Sequence, residues 1–77
     1  MFDLEIKTAE DLAAEKEAAA ARQARRERKR LLAESDWTQV ADAPADQSAW
    51  AGYRQKLRDI TDQKGFPHDV TWPEAPR

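Results

Sequence analysis

The chain contains no cysteine, which excludes a disulfide framework, a thiolate nucleophile and a cysteine-bound metal. It has one histidine, His68, so a histidine-rich metal site is excluded as well. Gly52 and Gly65 are the only glycines and stand thirteen positions apart, which leaves no glycine-rich loop to cradle a phosphate. No window approaches eighteen apolar residues, so nothing is expected to cross a membrane as a helix. Residues 1–12 are acidic and lack an apolar core segment, and are therefore not expected to act as a signal peptide. These shortages together predict a soluble, intracellular chain.

What remains is small and highly charged. Seventy-seven residues allow one thin domain, of a size that often needs a partner or a staple. The 40% hydrophobic content is largely alanine and 36% of residues are charged, a balance that suits exposed helices better than a compact enzyme. Catalysis needs convergent groups in a pocket that excludes water. There is no Ser/His/Asp set in plausible context, and Asp59 and Asp62 read as solvated helix-end charges. His68 reads as a surface or tail residue. The sequence therefore predicts no enzyme and no cofactor.

Charge is distributed in blocks. Residues 1–21 carry six acids and two lysines; residues 22–30 carry six bases and one acid; residues 31–77 carry eight acids and five bases. The central block holds Arg22, Arg25, Arg26, Arg28, Lys29 and Arg30, which invites a nucleic-acid reading. Those bases spread over nearly every azimuth of a helix, no aromatics interleave with them, and the acidic flanks oppose DNA. A solvated or acid-pairing helix segment is the better account, with an acidic protein surface as the next.

At the N-terminus Phe2, Leu4 and Ile6 alternate with charged residues, the period-two pattern of a short strand. Such a strand needs a sheet, and no second strand is predicted here. Either the alternation is incidental or the segment adds to a partner's sheet edge. Thr8 opens a capping box with Asp11 in place of the usual Glu or Gln. From residue 9 to about residue 34 there is no glycine or proline, and the strongest helix formers dominate. A helix of that length runs about 39 Å, against about 24 Å for a second helix over residues 47–62. Packed as a hairpin, the first helix overshoots by roughly 15 Å. We expect this overhang, with Leu12, Ala14, Ala18 and Ala21, to lie against another chain together with Phe2, Leu4 and Ile6.

In the second helix Trp50, Tyr53, Leu57 and Ile60 fall at i, i+3, i+7 and i+10, one apolar stripe. Asp46 is its expected N-cap, with Ser48 as an alternative, and residues 41–46 form the turn before it. Gly52 inside the helix is expected to admit a close neighbour, with Leu31, Leu32 or Trp37 as candidates. Gly65 is the expected C′ residue ending the helix. Beyond it, prolines at 67, 73 and 76 dictate an extended tail. The predicted core comprises Leu31, Leu32, Trp37, Trp50, Tyr53, Leu57, Ile60, Phe66 and Trp72, with Val70 beside them. The fold expected is mostly α: a long helix and a shorter one in a hairpin, a strand-like start over residues 1–7, and a wrapping tail. Residues 8–35 form the long helix, and residues 36–77 form one small domain with its end.

The ordered string LLAESDWTQV (31–40), DAP (42–44), WAGYRQKLRDI (50–60), GFP (65–67) and WP (72–73) resembles the tail assembly chaperone family of tailed bacteriophages. It is similar to the C-terminal segment of tail fibre assembly proteins, over about residues 28–76. The resemblance implies a small, non-enzymatic helper in the folding, trimerisation or capping of a tail fibre or receptor-binding protein. The fibre would be trimeric, with several copies of the helper per fibre. The resemblance also implies action in the host cytoplasm and leaves open retention in the virion tail. Trp37, Trp50, Tyr53, Leu57 and Trp72 carry over as core. Longer relatives have a folded fibre-contacting region at the N-terminus; here only residues 1–7 and the long helix stand in that place. Two rivals remain at this point: a permanent structural component at the fibre tip, and, more remotely, a nucleic-acid-binding helix using residues 22–30.

Overall fold

The structure is a computed structural model and describes residues 8–76. The strand-like Phe2, Leu4 and Ile6 lie outside the described residues. Two helices form an antiparallel hairpin: α1 (Ala9–Ser35) and α2 (Gln47–Arg58), each followed by a 3₁₀ turn, Asp36–Gln39 and Asp59–Asp62. Residues 70–76 then run without regular structure.

The local chemistry explains each boundary. The Asp11 backbone N–H donates to Thr8 Oγ1 at 3.1 Å, and the Thr8 N–H donates to Asp11 Oδ2 at 3.2 Å. Both orphan donors of the capping box are thus met, with aspartate serving where glutamate is usual. At α2 the Asp46 carboxylate accepts from the Ala49 N–H at 3.1 Å, the N-cap expected of it. The second helix is shorter than expected. Its α-helical part ends at Arg58, and the 3₁₀ turn that follows carries Ile60, which is completely buried.

Burial along α1 begins only at Ala20. Residues 9–19 are all exposed, whereas Ala20, Ala24, Arg28, Leu31 and Ser35 are buried or half-buried. That spacing marks one helical face, and its apolar members are mostly small. The exposed stretch measures about 16 Å, close to the overshoot deduced from the two lengths. Ala21 is half-buried at the edge of the hairpin face, so it belongs to the intramolecular packing more than to the overhang.

Leu57 and Ile60 are completely buried and Tyr53 nearly so. Trp50, Leu31, Leu32, Phe66, Val70 and Trp72 are half-buried around them. Trp37 differs from its expectation as core: it is 50% exposed. Its ring rests on Trp50, with centroids 6.2 Å apart, and Trp50 meets Tyr53 edge-on at 5.5 Å. Trp50 therefore takes the place next to the core, and Trp37 is left as the outer member of the stack.

Both glycines also act differently from expectation. A β-carbon at Gly52 would meet nothing within 4 Å, so no close neighbour requires it. Gly65 does not adopt the left-handed conformation of a C′ glycine. A β-carbon there would collide with the Asp69 carbonyl oxygen, and the Asp69 N–H donates to the Gly65 carbonyl at 2.7 Å. Close backbone approach in the turn, not helix capping, demands the glycine. The Phe66–Pro67 peptide in this turn is cis.

Candidate partner-binding surfaces

Much of the polar chemistry serves to fasten the hairpin. Arg54 of α2 reaches the end of α1, where Nη1 donates to the Leu32 carbonyl at 2.6 Å and to Ser35 Oγ at 2.7 Å. Its Nη2 pairs with Asp36 Oδ1 at 2.8 Å. The final turn of α1 contains no base of its own, so this guanidinium supplies from α2 the positive charge that a helix C-terminus favours. Ser35 donates onward to the Leu31 carbonyl at 2.9 Å, and Thr38, fully buried, donates to the Ser35 carbonyl at 2.6 Å. The sequence pattern placed Arg54 off the apolar stripe and gave it no role. The missing signal was the unsatisfied end of α1, which needs a donor from elsewhere.

The basic block divides into two groups. Arg28 donates to the Arg58 carbonyl at the end of α2 at 3.1 Å. The Arg25 guanidinium lies 5.6 Å from the centre of the Phe66 ring, within cation–π range. Arg30 pairs with Glu27 and, at 2.5 Å, with Glu34. Hydrogen bonding from Arg30 holds the Glu27 carboxyl below its ordinary range, and Glu27 in turn raises Arg30. Arg22, Arg26 and Lys29 remain exposed. Their spacing, i, i+4 and i+7, gathers them on one stripe, where the whole block had seemed to wrap the helix.

The tail is fastened by one side-chain amide. Gln63 donates through Nε2 to the Thr71 carbonyl and accepts from the Thr71 N–H through Oε1, both at 2.8 Å. This mimics a backbone pairing and holds Val70 and Trp72 beside the helices. An open groove of about 710 Å³ lies between α1 and the tail, with Ala24, Arg26, Pro67, His68, Val70 and Trp72 among its lining. No cluster of metal-ligating side chains occurs among the described residues.

Of the sequence-predicted partner residues, Leu12, Ala14 and Ala18 are exposed on the overhang. Ala14 and Ala18, four apart, share a stripe. Leu12 lies about 160° around the axis from Ala14, so the three do not form one face.

The family model for the phage tail assembly chaperone protein matches residues 21–77. The chain belongs to that family. No curated protein and no solved structure matches it. The match begins one residue after burial on α1 begins. The match thus covers the packed part of α1, all of α2 and the tail, and residues 9–19 stand outside it. Membership makes it a protein of phage tail assembly, acting in the host on a tail protein. No helix among the described residues is long and apolar enough to cross a membrane.

Proposed function

We propose that this chaperone binds a tail fibre or receptor-binding protein and assists its folding, trimerisation or capping. The hairpin and tail serve as a rigid anchor, and the overhanging part of α1 makes the contact. The observation that carries this is the unbroken exposure of residues 9–19, with Leu12 still 46% exposed. Isolated helices of this length are marginal in water. A continuous α1 makes the overhang an extension of an already anchored helix. Phe2, Leu4 and Ile6, at its end, supply an alternating segment able to cover an open sheet edge of nascent fibre, which would otherwise aggregate.

Co-expression with the fibre protein of the same phage tests this. The chaperone should co-purify with the fibre and raise its soluble yield. Replacing Leu4 and Ile6 with Asp, or Leu12 with Asp, should remove that gain and leave helical circular dichroism unchanged. An undiminished yield from all these variants would refute the overhang as the contact. Mass spectrometry of purified virions separates a transient helper from a permanent tip component, since stoichiometric presence in mature particles would exclude the former.

A further inference from the structure

Among the described residues the large hydrophobic side chains left exposed are Leu12, Trp37 and Val40. Leu12 belongs to the overhang. Trp37 and Val40 stand together at the closed end of the hairpin, 50% and 56% exposed, with the Val40 N–H donating to the Trp37 carbonyl at 3.4 Å. Neither is a loosely held surface side chain. Trp37 rests on Trp50, and Trp50 on buried Tyr53. Gln39 donates to the Gln47 carbonyl at 3.2 Å, and Gln47 donates to the Val40 carbonyl. The backbone under the patch is therefore tied to α2. A held, half-exposed tryptophan loses little conformational freedom on binding, and tryptophan is the residue type most enriched where binding energy concentrates.

The surroundings indicate the partner's chemistry. Residues 36–53 contain Asp36, Asp42 and Asp46 and no lysine or arginine. The next base, Arg54, is bound to Asp36 and to the end of α1, so that pair is neutralised internally and Asp42 and Asp46 are the rim's free acids. Asp42 is exposed, and so is Asp46, whose carboxylate accepts from the Ala49 N–H at the start of α2. An apolar patch with an acidic rim favours an apolar anchor flanked by positive charge and disfavours anionic surfaces such as nucleic acid or acidic lipid.

We propose that Trp37 and Val40 form a second docking surface, which takes an apolar segment flanked by lysine or arginine on the tail protein that this chaperone serves. This rests on the reading that the chain binds a tail protein. It adds a contact within residues 21–77, the part shared with the family, and separate from the overhang.

The test uses the full chain, immobilised, against each purified tail protein of the same phage, the fibre included. Trp37→Ala and Val40→Asp should each weaken the retained complex by about tenfold or more while remaining folded at the binding temperature, with the helical circular dichroism of the wild type. Asp42→Lys should weaken it too, and raised salt should weaken the wild-type complex. Equal binding by wild type, Trp37→Ala and Val40→Asp would overturn the surface and leave the chaperone reading standing. Tighter binding by Asp42→Lys would overturn the basic chemistry assigned to the partner. Retention of a tail protein other than the fibre, lost in both patch variants, would support the surface and refute the fibre as partner. Retention of none would overturn both.

Discussion

The Arg54 guanidinium lies 2.6 Å from the Leu32 carbonyl oxygen, so a residue in the middle of α2 completes the last turn of α1. The reverse also holds, since Arg28 of α1 donates to the Arg58 carbonyl at the end of α2. Each helix thus donates to a carbonyl at the end of the other. In so small a chain, with few fully buried side chains, these fastenings bear a large share of the hairpin's definition. The Arg54 side chain is only 12% exposed, so its bonds are not those of an ordinary surface ion pair.

Arg54→Met should therefore destabilise the hairpin by about 1.5–3 kcal/mol, the range for hydrogen bonds to a charged group. For a domain of this size that lowers the melting temperature by about 10 °C, measurable by circular dichroism. Arg54→Lys should recover only part of the loss. One ammonium cannot reproduce the forked contact with Leu32, Ser35 and Asp36.

Gly52 gives the opposite expectation. It lies inside α2, is exposed, and a β-carbon there would meet open space. Gly52→Ala should stabilise the chain by about 0.5–1 kcal/mol, chiefly by restricting the unfolded state. A rise of about 4 °C in the melting temperature is expected. A fall would show that the β-carbon meets a neighbour in solution, within the chain or in a second copy of it.

The contrast between these two residues shows what the sequence could and could not reveal. Caps at Thr8 and Asp46, the long first helix and the overhang were legible, because they depend on local propensity and on length. The stripe of Trp50, Tyr53, Leu57 and Ile60 was legible from periodicity. Trp37 was misplaced because spacing does not say which of two neighbouring tryptophans takes the inner position. Arg54 escaped notice because its partners lie up to 22 positions away, and Gly52 suggested a close approach that does not occur. The surfaces exposed for binding are harder still, since exposure is what remains after packing. Leu12 could be picked out by length alone, whereas the Trp37 and Val40 patch needed the fold.

The division of the basic block yields the last expectation. Arg25 and Arg28 contact the C-terminal half, so Arg25→Gln and Arg28→Gln should each lower the melting temperature. Arg22, Arg26 and Lys29 form an exposed stripe outside those contacts, and replacing all three with Gln should leave the melting curve unchanged. Three charges neutralise at most three phosphates, which limits DNA binding through this stripe alone to a slope of about −2.7 in log K against log salt. With no aromatic residues interleaved, no retention on duplex DNA is expected at physiological ionic strength. Fluorescence anisotropy across a salt series would check this. A slope much steeper than that limit would mean that bases outside this stripe, whether Arg25, Arg28 and Arg30 or the exposed Lys56, Arg58 and Lys64, also reach phosphate.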